Sequence, residues 1–151
     1  MLVSRLREWP RFSAAVAFGG AGCGVAILWW SPIIFDGGLL RWALFVGTPA
    51  FSAALAGGLC GRPLSKGTLT SGTGAALWGA VIASLALVFF AIAFASLYVV
   101  TEPPNEHWDL AGLVMIILIG ATVAVWWIVA LVGAGVGYLL YHLTRPEMKP
   151  G

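Results

Sequence analysis

The chain has 151 residues, of which 60% are hydrophobic and only 9% are charged. A soluble domain carries about 25% charged residues, so this composition excludes a water-soluble globule, and its hydrophobicity excludes a disordered chain. The net charge of +2 is too small to indicate nucleic-acid binding. The composition instead predicts an integral membrane protein that is surrounded by membrane lipids.

Four stretches of the chain carry no charged residue and are long enough to cross a membrane. A hydrocarbon core of about 30 Å takes roughly 20 helical residues, and charges are rare within it. The sequence therefore predicts an all-α integral membrane protein, a four-transmembrane-helix bundle that forms one domain over 1–151. The expected helices cover residues 12–34, 41–61, 74–100 and 110–142, between an interfacial N-terminal segment (1–11) and a cytoplasmic tail (143–151).

Small residues recur at four-residue spacing in all four predicted helices. Positions four apart share a helix face, and small side chains there let neighbouring backbones approach closely, which favours helix association in lipid. We therefore expect these rows to be packing faces, either within the bundle or against another subunit. They are Gly20 and Gly24; Ala53, Gly57 and Gly61; Ala76, Ala80 and Ser84; and Gly133 and Gly137.

The second predicted helix contains the pair Thr48-Pro49 near its middle. Proline removes one intrahelical hydrogen bond, and a threonine hydroxyl can satisfy the freed carbonyl, so the pair predicts a helix kink. Such breaks mark binding sites in transporters, but proline is also common in membrane helices without that role.

The third and fourth predicted helices are longer than a bilayer requires. At 1.5 Å per residue, helices over 74–100 and 110–142 would measure about 40 and 50 Å. We expect both to project beyond the membrane as an outer hairpin with Pro103-Pro104 at its tip. At the other end of the third helix, Thr70, Ser71 and Thr73 are expected to supply the N-cap.

The basic residues predict the orientation of the chain, because cytoplasmic loops carry an excess of Lys and Arg. Seven of the eight fall on one side of a four-span model, and only Arg41 falls on the other; the seven are Arg5, Arg7, Arg11, Arg62, Lys66, Arg145 and Lys149. The sequence thus predicts that both termini are cytoplasmic, in a multi-pass protein of a bacterial-type inner (plasma) membrane.

The predicted outer loop holds the one site-like group of side chains: Glu102, Glu106, His107 and Asp109. Carboxylates with one histidine can bind a divalent cation, and the same loop can also be a docking surface for a partner. A solvated loop needs charged residues in any case, so the group is only a candidate metal site.

Catalytic chemistry has no evident basis in this sequence. Apart from Arg41 and His142 at the ends of two predicted helices, the spans contain no Asp, Glu, Lys, Arg or His, which argues against a proton-coupled antiporter. No catalytic motif can be assembled either. We therefore expect no catalytic residue, no cofactor and no enzyme activity. Cys23 and Cys60 lie at different predicted depths and are expected to remain unpaired thiols.

Three functions remain compatible with these features. The first is a non-catalytic structural or accessory subunit, or a small oligomer, that contacts other membrane-protein subunits or itself through its Gly/Ala-rich faces. The second is a small oligomeric transporter or lipid-handling protein, and the third is a membrane immunity or inhibitor protein whose outer loop meets a toxin. A polar cavity at the membrane midplane would favour transport, whereas lipid-exposed glycine rows without a cavity would favour a partner subunit.

Overall fold

The computed structural model describes residues 9–34, 43–66, 68–101, 112, 115–117, 119–120 and 125–144. These residues are almost entirely helical and include no β-strand, so the all-helical class predicted from the sequence is confirmed. The helices are α1 (Pro10–Ile34), α2 (Thr48–Cys60), the short α3 (Arg62–Ser65), α4 (Gly72–Thr101) and α5 (Trp126–Thr144), and a π-helical turn at Ala43–Gly47 leads into α2.

Three of the helices are long and apolar enough to cross a membrane. The qualifying stretches are Pro10–Leu28, Gly72–Leu97 and Trp126–Thr144, and a fourth apolar stretch, Phe45–Cys60, is shorter. The membrane character of the chain is thereby confirmed. A fourth span stays a prediction, and so does the outer hairpin, whose tip and most of whose second arm lie outside the described residues.

The outward surface of the helices is apolar. Leu28, Phe12 and Leu131 leave 82%, 68% and 66% of their surfaces exposed, whereas Ala56 and Ala91 are fully buried. Large apolar side chains outside and small ones between the helices are the reverse of a soluble bundle. This distribution suits helices that are surrounded by hydrocarbon and packed by close backbone approach.

The helices form two antiparallel pairs. The most extensive contacts join α1 to α2 and α4 to α5, and α2 also packs along α4. The register of that third contact is fixed at both ends: the Trp78 indole donates a hydrogen bond to the carbonyl of Cys60 at 2.9 Å, and the rings of Phe45 and Phe94 lie 5.6 Å apart. The first of these contacts also satisfies a carbonyl that the end of α2 would leave unpaired.

One end of the bundle is held together by hydrogen bonds to short connections. The Thr144 hydroxyl, at the end of α5, lies 3.1 Å from the carbonyl of Leu64 in α3, and the Tyr141 hydroxyl donates to the carbonyl of Thr70 at 3.3 Å. The Ser71 hydroxyl accepts from the N–H of Gly74 at 3.0 Å, which makes Ser71 the N-cap of α4. The starts of α1 and α4 and the ends of α2 and α5 therefore share one end.

The Thr48-Pro49 pair lies where the helix changes its hydrogen-bonding pattern. The turn Ala43–Gly47 is π-helical, and regular α-helix begins at Thr48, with Pro49 in its first turn. Proline supplies no N–H to the helix, and its ring crowds the carbonyl four residues earlier. A π-helical turn before the proline is wider than an α-helical turn and is one way to relieve both effects. The predicted kink thus falls at a junction between two helix types, where Gly47 keeps helical angles of φ −64° and ψ −45°.

Candidate packing faces and an apolar cavity

The α4–α5 contact is a crossing of two backbones at glycine. A Cβ atom on Gly79 would collide with the carbonyl of Gly133 and lie 3.0 Å from the Cα of Gly137. A Cβ on Gly133 would collide with Ala83, and one on Gly137 with the carbonyl of Ala75. A carbonyl cannot rotate away as a flexible side chain can. At each of these three glycines, the crossing therefore has room for a hydrogen atom but not for a side chain.

A hydrogen bond beside this crossing joins the same two helices. The Trp126 indole donates to the Ser84 hydroxyl at 3.1 Å, and that hydroxyl donates to the carbonyl of Ala80 at 2.9 Å. The two polar groups satisfy each other within an apolar surface, which avoids the cost of leaving either unpaired in lipid.

The α1–α2 contact is a second close crossing. A Cβ on Gly57 would lie 2.8 Å from the carbonyl of Ala14 and 2.9 Å from the Cβ of Phe18. One turn along, a Cβ on Gly22 would lie 2.8 Å from the Cβ of Ala53. All three distances are shorter than real Cβ contacts allow, so these glycines set the distance between α1 and α2.

Half of the ten predicted packing residues lie in these two crossings: Ala53, Gly57, Gly61, Gly133 and Gly137. Ser84 contacts α5 through Trp126. Ala76 and Ala80 are half-buried beside the contacting row, which consists of Ala75, Gly79 and Ala83.

Gly20 and Gly24 contact no other helix within the described part of the chain. Both are exposed, and a Cβ on either would meet no described atom within 4 Å. The α1 glycines that contact α2 are Gly19 and Gly22 instead. Successive residues are about 100° apart around an α-helix, so the rotation of α1 that points Gly19 and Gly22 at α2 turns Gly20 and Gly24 away from it. Spacing alone does not show which of these glycines face α2.

An apolar cavity of about 340 Å³ lies between the two helix pairs and is partly open to its surroundings. Its described wall includes Phe18 and Val25 of α1, Pro49 of α2, Phe90 of α4, and Val129 and Val132 of α5. None of its described lining residues has a polar side chain. Water needs two to four polar partners to be stable in a cavity, and this wall offers none from its side chains.

One buried hydroxyl, that of Ser52 on α2, has no hydrogen-bond partner among the described residues. Its residue is only 1% exposed. An unpaired buried hydroxyl costs about 1–3 kcal/mol relative to a paired one. Packing stability therefore does not explain a serine at this position.

The remaining sequence candidates form no site in the described structure. Glu102, Glu106, His107 and Asp109 lie outside the described residues, and within the part that is described no group of three His, Cys, Asp or Glu side chains can hold a metal ion. Cys23 and Cys60 are both half-buried free thiols.

Comparison of the chain with protein-family models, with curated proteins and with solved structures gave no match. The function is therefore argued from the helix faces and the cavity alone.

Proposed function

We propose that the chain is a non-catalytic, multi-pass protein of a bacterial-type inner membrane that acts as a structural or accessory subunit, or as a small oligomer. The observation that carries this proposal is the pair Gly20 and Gly24, which are exposed and have open space where a side chain would be. The glycines at the α1–α2 and α4–α5 crossings already contact another helix of the same chain. No described residue covers Gly20 and Gly24, and we propose that a helix from another chain does.

The two glycines lie within a row that we call the outer α1 ridge: Phe12, Val16, Gly20, Gly24 and Leu28, all exposed. Rows of residues four apart are the ridges that pack into one another in right-handed helix crossings, and small residues at the centre let two such ridges approach closely. Phe12 is 68% exposed, Val16 58% and Leu28 82%, so large side chains flank the small ones on both sides. A partner helix would gain dispersion contacts along the row that loosely packed lipid chains do not provide.

The proposal is tested by Gly20→Leu beside the matched control Gly135→Leu. Gly135 lies on α5, is exposed, and also has open space at its Cβ position. Because the Cβ of neither new side chain meets a described atom within 4 Å, both variants should fold and keep the wild-type melting temperature in detergent. Gly20→Leu should shift the protein from an assembled to a smaller species on size exclusion, whereas Gly135→Leu should not. An assembled species that survives Gly20→Leu and is lost in Gly135→Leu would rule out the outer α1 ridge.

The topology that we propose has four spans and two cytoplasmic termini. It is supported by the exposed basic residues Arg11, Arg62 and Lys66, which belong to the end of the bundle where α1 begins and α2 ends. Reporter fusions after Gly38 and Asn105 should report outside, and fusions after Lys66 and Gly151 should report inside. A reversed signal at any one of the four positions would refute the four-span model.

A lipid-handling protein is the second candidate, and the apolar wall of the cavity favours it over a transporter of polar solutes. Passage of an ion or a polar solute needs polar groups along its path, and none of the described side chains of this wall is polar. A membrane immunity or inhibitor role would depend on the outer loop, which lies outside the described residues.

A further inference from the structure

We infer that the cavity between the two helix pairs binds one hydrocarbon chain of a membrane lipid. This inference deepens the lipid-handling candidate but does not depend on the outer α1 ridge. It rests on the depth of the cavity, on the chemistry of its wall and on its volume.

The depth of the cavity can be read along three membrane-spanning helices independently. At 1.5 Å per residue, its lining residues lie about 12–24 Å from the start of α1, about 16–27 Å from the start of α4 and about 16–22 Å from the end of α5. These three ends lie together at one end of the bundle. The three readings agree on the middle of a hydrocarbon core of about 30 Å, where lipid headgroups do not reach.

The wall of the cavity matches hydrocarbon, because none of its described side chains is polar. Its largest described side chains are those of Phe18, Phe90, Leu87 and Ile117. Ser84 and Trp126, which are next to lining residues in sequence, are joined by their own hydrogen bond of 3.1 Å, and Thr48 and Ser52 of α2 are not part of the described wall. A headgroup or a polar solute would therefore lose its hydrogen bonds on entering, whereas a hydrocarbon chain would lose none.

The volume of the cavity is large enough for a chain and too large to be left empty at no cost. An apolar protein cavity of about 150 Å³ takes up a benzene-sized molecule, and ligand sites begin at about 300 Å³. At about 340 Å³, this cavity lies within the size range of ligand sites. It is also partly open, and at this depth the material outside it is lipid hydrocarbon. Side chains that line an empty space lose dispersion contacts, which an inserted chain restores.

The inference is tested with a photoactivatable lipid. The protein is reconstituted into vesicles of phosphatidylethanolamine and phosphatidylglycerol that contain a phosphatidylcholine with a diazirine near the methyl end of one acyl chain. After illumination, the labelled positions are mapped by mass spectrometry. Cavity-lining positions such as Val25 and Phe90 should be labelled, in addition to the exposed positions that any surrounding lipid reaches.

Two cavity-filling variants, each with a matched control, give the test its specificity. Ala86→Phe and Val129→Phe place a ring in the cavity from α4 and α5, because both residues line it. The controls Val88→Phe and Leu131→Phe add the same ring two residues further along each helix, at positions that are 40% and 66% exposed. The fillers should abolish labelling of the cavity wall and leave labelling of the exposed positions unchanged, and the controls should alter neither.

Two results would overturn the inference: a wild-type protein labelled only at exposed positions, or wall labelling that survives both fillers. The labelling experiment detects a lipid chain in the cavity but does not detect lipid transport. A separate assay, which measures the transfer of headgroup-labelled phospholipid between leaflets, therefore tests the lipid-handling function. Wall labelling without any transfer supports the chain site and removes the lipid-handling candidate. Failure of the labelling leaves the outer α1 ridge unaffected.

Discussion

Replacing Gly137 by leucine should break the α4–α5 pair. The Cβ of the new side chain would collide with the carbonyl of Ala75 and lie 3.0 Å from the Cα of Gly79. Both neighbours are backbone atoms within α4, so the two helices must move apart along their whole contact to accommodate it. Overpacking typically costs about 1–3 kcal/mol and occasionally more. We expect a cost at or above the upper end of that range, because no flexible side chain can yield.

The control for this experiment is Gly135→Leu, which inserts the same side chain two residues earlier on the same helix. Gly135 is exposed, and no atom of the described residues lies within 4 Å of its Cβ position. Thermal stability in one detergent and monodispersity on size exclusion should fall sharply for Gly137→Leu and stay at wild-type values for Gly135→Leu. Equal stability of the two variants would mean that α4 and α5 do not cross at these glycines.

Replacing Gly57 by leucine should have the same consequence for the α1–α2 pair. Its Cβ would lie 2.8 Å from the carbonyl of Ala14 and 2.9 Å from the Cβ of Phe18. The destabilisation should again be about 1–3 kcal/mol, which exceeds the average of about 0.6 kcal/mol measured for an interhelical hydrogen bond in a membrane protein. The same two measurements, melting temperature and monodispersity, report it.

Leu59→Ala is the comparison variant on the same helix. Leu59 lies two residues from Gly57, about 200° around α2, and 61% of its surface is exposed. Its truncation removes contacts with lipid rather than with another helix, so little loss of stability is expected. A stable Gly57→Leu protein together with an unstable Leu59→Ala protein would show that the small-residue face of α2 is not a packing face.

The class of the fold could be predicted from the sequence because the membrane imposes it. Long apolar stretches without charges have few alternatives to helices in lipid, where every backbone N–H and C=O must be paired internally. The sequence also indicated a cap for α4, and Ser71 supplies it. These features depend on residues near one another in the chain.

The choice among rows of small residues could not be predicted in the same way. On α4, the row of Ala76, Ala80 and Ser84 and the row of Ala75, Gly79 and Ala83 have the same spacing and lie side by side on the helix. Which row contacts α5 depends on how the whole helix is rotated within the bundle, and that depends on residues distant in sequence. Spacing alone does not separate the two rows.

The cavity has no sequence signature. Its wall combines residues from four helices, such as Phe18, Pro49, Phe90 and Val129, and each of them is typical of ordinary membrane-helix sequence. Only the separation between the two helix pairs creates the space. The pair Gly20 and Gly24 illustrates the opposite case: the sequence predicted a packing face there, and its exposure in the fold is the reason we propose a partner outside the chain.

The most direct test of the proposed role is the mass of the particle that carries the chain in its membrane. Native mass spectrometry of the wild-type protein, released in a mild detergent, measures that mass against the 15.8 kDa of a single chain. A subunit or small oligomer predicts a mass of two or more chains, or of this chain with a defined partner, and predicts its loss in Gly20→Leu. A wild-type particle of one chain with only lipid attached would contradict the account.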